Sequence, residues 1–251
     1  MTDIASHRGG ARLWPENSRL AFRNSAALSV DFIEFDIHRS RDGVLFVHHD
    51  AVLGRTAAGS GPVGDKDWAE LRSVGLIGTE GETIPSLDEV LDILAPSGIR
   101  LRIELKARQG GERYPGIEAQ LVARLKERFL LDRTVFTSFD LPTLAELSAL
   151  APDTPAIWLI AERLLESSPR DVRALCHMAR AVGVKELAVR VSAMHDDDVV
   201  VCREEGVRLG FFAAHDEPAI RKAFAARASA FTTDRPDLAI ELKAQCELAA
   251  D

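Results

Sequence analysis

Short apolar or β-branched runs alternate with segments of helical period along nearly all of the 251-residue chain, the pattern that a series of βα units requires. The runs Ile4–Ser6, Phe32–Ile37, Leu45–His48, Arg100–Lys106, Thr134–Ser138, Ala156–Ile160, Glu186–Arg190, Arg208–Phe212 and Ala230–Thr233 predict strands. Helices are predicted to start near Ser18, Ser86, Gly116, Leu141, Pro169, Asp196, Pro218 and Pro236. Ser86-Leu-Asp-Glu89 reads as a capping box, with the serine as N-cap and the glutamate reaching back. Ile117, Leu121, Val122, Leu125 and Phe129 share one helical face. Pro169, Pro218 and Pro236 suit a first helical turn, where a missing N–H costs little.

Eight or nine strands with intervening helices in a chain of this length fit a TIM-type (β/α)8 barrel, an α/β fold. A doubly wound nucleotide-binding sheet would carry a glycine-rich loop after an early strand; His7-Arg-Gly-Gly10 stands there instead. Residues 54–85 are rich in Gly, Pro and Asp, with one helical piece near Trp68–Val74. They read as an excursion between strands. The expectation is therefore one domain over residues 1–251 with a short insertion at about 54–85.

Charge narrows the partners. A net charge of −8 argues against nucleic acid, which needs a surplus of Lys and Arg. No apolar run approaches the ~18 residues of a membrane span. No basic segment leads into an apolar stretch at the start, so the cytoplasm is the expected compartment. Cys176, Cys202 and Cys246 lie far apart without a Cys-x-x-Cys, which suggests neither a zinc cluster nor a redox pair. No long uncovered apolar stripe is visible, but helix faces hide such patches from a linear reading, and the oligomeric state stays open.

Barrel enzymes carry their chemistry where strands end. Four early runs end in polar residues: His7-Arg8, Glu34-Phe-Asp36, His49-Asp50 and Glu104-Leu-Lys106. A spacing of two places Glu34 with Asp36, and Glu104 with Lys106, on one face of a strand. Taken singly, each pattern also suits a surface feature or a cross-strand ion pair. In a barrel with both strand faces covered, Glu34, Asp36 and Glu104 would converge. Two carboxylates ~4 Å apart repel by roughly 4 kcal/mol at an effective dielectric of 20, so three require a retained proton or a cation. An all-oxygen cluster suits a hard ion such as Mg²⁺ or Ca²⁺. Arg8 and Lys106 beside that ion would cradle a phosphate. His7 and His49 would supply an acid and a base near neutral pH. Together these groups suggest phosphoester cleavage.

Further motifs sharpen this. His7-Arg-Gly9, Pro15-Glu-Asn-Ser18, Glu34-Phe-Asp36, Arg41-Asp-Gly43, Val47-His-His-Asp50, Leu53-Gly-Arg-Thr56, Ile84-Pro-Ser-Leu-Asp-Glu89, Ile103-Glu-Leu-Lys106, Ser138-Phe-Asp140 and Phe231-Thr-Thr-Asp-Arg-Pro236 occur in that order. The ordered set, spanning about residues 4–237, resembles the glycerophosphodiester phosphodiesterase family. The resemblance implies a TIM-type barrel with a small insertion after an early strand. It implies Glu34, Asp36 and Glu104 as ligands of one divalent cation, Mg²⁺ or Ca²⁺ with Mn²⁺ also accommodated. It implies His7 and His49 as the catalytic pair, with Arg8 and Lys106 on the phosphate. The products would be an alcohol and glycerol 3-phosphate; His7 is assigned as base and His49 as acid. Direct attack by water and a cyclic phosphate both remain open.

The chain departs from the family's pattern in one place. Members often carry Trp-Thr-Val-Asn after the penultimate strand, where Phe212-Ala-Ala-His215 stands here. Phe212 and His215 are accordingly candidates for substrate binding on the leaving-group side, His215 either touching substrate or replacing a loop amide. Of the other histidines, His38 is expected beside the site, His48 to point away from it, and His177 and His195 to be exposed. Trp14 is expected at the rim, and Trp68 and Trp158 in packing. A small phosphodiester such as glycerophosphocholine or glycerophosphoethanolamine is the expected substrate. A lysophospholipid, a sugar phosphodiester and a catalytically silent phosphate-binding protein are the alternatives. A zinc amidohydrolase would need a His-x-His pair on the first strand, which Ser6-His7-Arg8-Gly9 does not provide.

Overall fold

The computed structural model describes residues 2–166 and 170–248. Its strands are β1 (Asp3–His7), β2 (Phe32–Arg39), β3 (Leu45–Val47), β4 (Arg100–Leu105), β5 (Thr134–Ser138), β6 (Ala156–Leu159), β7 (Glu186–Arg190), β8 (Arg208–Phe212) and β9 (Ala230–Thr233). Eight of them form a closed parallel TIM (β/α)8 barrel in the order β1-β2-β4-β5-β6-β7-β8-β9, with β9 pairing back onto β1. The odd strand is β3, which pairs antiparallel with the end of β2 outside the barrel. His49 thus reaches the top of the barrel from a loop and not from the end of a barrel strand.

Parallel strands covered on both faces must be apolar on one face and filled on the other. β2 shows how the sequence meets both demands. Its residues from Phe32 to His38 are all buried. Phe35 packs edge-on against Phe22 of the helix Arg19–Ser25, with ring centroids 5.7 Å apart. The alternate positions Glu34 and Asp36 face inward. At the starts of the strands the interior is filled by an apolar cluster that includes Ala5, Phe32, Val135, Ile157 and Ala188. Above it the interior turns polar.

The helix starts follow their capping chemistry. Ser18 accepts from the Ala21 N–H at 3.0 Å. The capping box at Ser86 is complete: Ser86 Oγ accepts from Glu89 N–H at 3.2 Å, and Glu89 Oε2 accepts from Ser86 N–H at 2.8 Å. Pro218 and Pro236 lie in first turns. Pro169 lies outside the described residues; the helix that follows it is Val172–Ala181, capped by Asp171. One pattern fails. The helix Ile117–Glu127 buries Ile117, Leu121, Val122 and Leu125, but Phe129 is 87% exposed. The helix ends before it. Phe129 takes the left-handed conformation (φ 54°), while the N–H groups of Phe129 and Leu130 return to the carbonyls of Lys126 and Leu125.

The segment between β3 and the helix Leu87–Leu94 folds around a small cluster of its own, made by Phe46, Leu53, Ala57, Val63, Leu71, Leu76 and Ile84. Its only α-helix is the single turn Trp68–Leu71. This packing holds the loop carrying His49 and Asp50 against the end of β2. No described helix is long and apolar enough to cross a membrane.

Candidate active site

Glu34, Asp36 and Glu104 are all buried, and each offers a carboxylate oxygen within 4.8 Å of the others. Register explains this: Asp36 pairs directly with Glu104 across β2 and β4, and Glu34 lies two residues below Asp36 on the same face. Burial, with Asp36 and Glu104 close by, pushes the Glu34 carboxyl up to about 7. Burial opposes ionisation of Asp36 as well, but Lys106 and Arg8 outweigh it and hold Asp36 below the usual carboxylate range.

The surroundings fix these carboxylates in place. The Arg8 N–H donates to Glu34 Oε2 at 2.9 Å, and Asn17 Nδ2 donates to Asp36 Oδ2 at 2.9 Å. Both donors need unusual backbone, since Arg8 (φ 52°) and Asn17 (φ 54°) are left-handed. The Lys106 ammonium donates to Glu104 Oε1 at 2.7 Å and lies 3.5 Å from Asp36 Oδ1. Asp36 Oδ1 is buried with no hydrogen-bond partner. Three converging carboxylates, a raised glutamate and this free oxygen fit a hard divalent cation held by oxygen ligands.

His7 and His49 are each held by a carboxylate. His7 Nδ1 lies 2.5 Å from Asp234 Oδ1, and His49 Nδ1 lies 2.6 Å from Asp50 Oδ1. Burial alone would lower the His7 pKa, but Glu34 and the hydrogen bond to Asp234 overcome it and leave the imidazole above its ordinary value. A chain of charges secures Asp50. Arg55 Nε donates to Asp50 Oδ2 at 2.6 Å, and the other end of its guanidinium grips both oxygens of Glu16. Glu16 also accepts from Arg8 Nη1 at 2.9 Å. His38, inside β2, bonds the His49 carbonyl oxygen and the Tyr114 hydroxyl through its two ring nitrogens. It therefore supports the His49 loop from behind, as expected. His48 is buried, and His177 and His195 are exposed.

A cavity of about 300 Å³ brings the expected residues together: His7, Arg8, Glu34, His49, Glu104, Lys106, Phe212 and His215 all line it. His215 stands on the His7 side, while Phe212 packs edge-on against Phe139 with ring centroids 5.7 Å apart. His215 lies 5.5 Å from His7 between ring centroids, and its Nδ1 accepts from the Asp234 N–H at 3.0 Å. Burial pushes His215 down to about 4, which keeps it neutral. A second cavity of about 490 Å³ shares His49, Glu104, Lys106 and Phe139 with the first and opens beyond His49.

Sequence reasoning gave no role to Glu16, Asn17, Arg55, Arg102 or Asp234. All except Arg102 fall inside motifs quoted above, which is the signal that was present. Their partners are remote in sequence, and spacing does not reveal them.

The family model described as "Glycerophosphoryl diester phosphodiesterase family" matches residues 7–238. The chain belongs to this family. Among glycerophosphodiester phosphodiesterases, one from Caldanaerobacter subterraneus is 29% identical, with 96% of this chain and 97% of the relative covered. An Agrobacterium tumefaciens protein assigned as a glycerophosphoryl diester phosphodiesterase has a crystal structure that superposes with a TM-score of 0.94 at 31% identity, covering 99% of both chains. An Oleispira antarctica phosphodiesterase in complex with the product sn-glycerol 3-phosphate shares the fold, with a TM-score of 0.81 at 23% identity and 96% of both chains covered.

Proposed function

We propose that this chain hydrolyses glycerophosphodiesters to an alcohol and glycerol 3-phosphate through the pair His7 and His49. The observation that carries this reading is the pair itself. Two imidazoles, each oriented by its own carboxylate, flank a cavity lined also by Glu34, Glu104, Arg8 and Lys106, with Asp36 buried beside the two glutamates. The glycerol 3-phosphate found in the Oleispira relative supports the same reaction class.

In this reading Glu34, Asp36 and Glu104 hold one divalent cation, Mg²⁺ or Ca²⁺, which supplies Lewis-acid stabilisation of the phosphate's developing charge. Arg8 and Lys106 bind the phosphate oxygens. His7 has Nδ1 committed to Asp234, leaving Nε2 to take the proton of the attacking group. That group is either water, which gives glycerol 3-phosphate directly, or a glycerol hydroxyl, whose cyclic phosphate a water then opens to the same product. His49 has Nδ1 committed to Asp50, leaving Nε2 to protonate the departing alkoxide. The alcohol then leaves toward the larger cavity beyond His49. In this reading His215, being beside His7, borders the retained half of the substrate, while Phe212 packs on Phe139, which lines both cavities. The reading takes the barrel with its 54–85 insertion as one catalytic domain.

The test is release of glycerol 3-phosphate from glycerophosphocholine and glycerophosphoethanolamine, first with EDTA and then with added Mg²⁺ or Ca²⁺. Cation-dependent release is the expected result. Absence of release across a wider panel of diesters, with every cation, would remove the reading.

A further inference from the structure

The floor of the smaller cavity holds a charged group for which the proposed mechanism has no use. Arg102, on the inner face of β4 two residues before Glu104, is only 2% exposed, yet its Nε and Nη1 have no hydrogen-bond partner. Two neighbours lining the same cavity share this condition: Thr137 Oγ1 on β5 and Thr232 Oγ1 on β9 are buried and unpartnered. A buried donor left unmade costs about 1–3 kcal/mol, and more when charged, so four such atoms around one cavity call for a polar occupant.

The character of that occupant follows from charge and hydrogen bonding taken separately. Burial pushes the Arg102 pKa down, and the carboxylates of Glu186, Glu34 and Glu104 that stand around it offset this only in part. A second anion on the floor would meet those same carboxylates. What Arg102 lacks is acceptor oxygens. What the two threonines offer is hydroxyls able both to accept and to donate. An uncharged vicinal diol matches this set: its oxygens accept from the guanidinium, and its O–H groups donate to the threonine oxygens.

We propose that Arg102, Thr137 and Thr232 form a diol-binding floor that determines specificity for the glycerol half of the substrate. The proposal rests on the phosphodiesterase reading, because it takes the phosphate as held above by Arg8 and Lys106. The floor receives the hydroxyls of the half retained on phosphorus, and the larger cavity receives the leaving alcohol. Selection then acts on the retained half through hydrogen bonds and leaves the departing group loosely constrained.

Calorimetric binding to the Mg²⁺-loaded protein tests the floor without requiring turnover. The probes are glycerol 3-phosphate and n-propyl phosphate, which has the same carbon count and no hydroxyl. The wild type is expected to prefer glycerol 3-phosphate by at least about tenfold, the order of one or two net hydrogen bonds. Arg102→Met, and separately the isosteric pair Thr137→Val with Thr232→Val, should bring that ratio to within about twofold. The threonine pair carries the test if Arg102→Met does not fold. A ratio unchanged in the variants, or equal binding of both probes by the wild type, would overturn the floor. A wild type that prefers glycerol 3-phosphate but cleaves no diester would keep the floor and remove the catalytic reading. Diester cleavage with no diol preference would do the reverse.

Discussion

Asp234 approaches His7 to 2.5 Å although 227 positions separate them in the chain. The contact exists because β9 pairs with β1 and closes the barrel, which brings the residue just after the last strand against the last residue of the first. Asp234 also receives support from below through its N–H to His215. The carboxylate fixes which His7 nitrogen faces the cavity and stabilises the imidazolium.

Asp234→Asn should therefore lower kcat by about 10²-fold with little change in KM, close to the ~10²- to 10⁴-fold expected for His7→Ala or His49→Ala. The acidic limb of the pH–rate profile should move to lower pH as well, because His7 acts as the base and the amide no longer raises its pKa. Steady-state kinetics across pH measure both. A near-wild-type kcat would show that His7 does not depend on this carboxylate.

Arg55 touches neither cavity, yet it joins Asp50 to Glu16. With 48% of its side chain exposed, it should contribute under ~1 kcal/mol to stability. Arg55→Ala should leave the melting temperature within a few degrees and lower kcat about tenfold as Asp50 loses its anchor. Arg55→Lys should recover only part of that rate, since an ammonium does not grip two carboxylates at once. Full activity in the alanine variant would separate His49 from this chain of charges.

Cation affinity should depend on pH with a definite sign. Without a cation, Glu34 keeps its proton up to about 7 in the folded protein, against 4.5 as its ordinary value. Binding must displace that proton, so affinity should fall up to tenfold per pH unit below about 7 and level off above it. Titration calorimetry in buffers of different ionisation enthalpy counts the released proton. Glu34→Gln should bind weakly with the slope gone. A flat profile in the wild type would contradict the raised carboxyl.

The His215 pKa is displaced in the opposite direction, and its effect falls on stability. Its folded value of about 4 lies below the ordinary 6.5, so between those limits the unfolded chain takes up a proton that the folded protein refuses. Stability should fall as pH drops from 6.5 toward 4. His215→Asn should flatten that limb by a few degrees of melting temperature, at about 2–4 °C per kcal/mol in a chain of this size. Parallel melting curves for the two proteins would rule this out.

Phe129 offers a prediction away from the site. It is a left-handed, fully turned-out aromatic at a helix end, a position glycine occupies without the steric cost of a Cβ. Phe129→Gly should stabilise the protein by about 1 kcal/mol in urea unfolding, with activity unchanged. Destabilisation would mean that the phenyl makes contacts in solution that outweigh the strain.

The barrel is legible in the sequence because each buried strand must carry its own apolar run, as Phe32–Ile37 and Thr134–Ser138 do. Glu34, Asp36 and Glu104 are legible for a related reason. Alternation within a strand is local, and it places polar residues on a face that has no water to meet. What escapes is what depends on closure or on chain reversal. Leu45–Val47 reads as one more barrel strand, but it turns back along β2 because the Arg41-Asp-Gly43 segment reverses the chain. Phe129 continues the apolar period of its helix, and only the backbone hydrogen bonds reveal that the helix has already ended. Arg102 alternates with Glu104 as a surface ion pair would, and its burial becomes visible only when Thr137 and Thr232 arrive from other strands.

Because β9 is the strand that seals the ring, the two halves of this site mature at different times during synthesis. The carboxylates of β2 and β4, with Arg8, Asn17 and Lys106, lie in the first half of the chain. Asp234, the partner of His7, leaves the ribosome after all of these groups. On the proposed mechanism a growing chain can assemble the three carboxylates early, yet His7 lacks its orienting partner until Asp234 docks. Activity therefore reports completion of the ring, and a truncated chain that still captures metal is expected to turn nothing over.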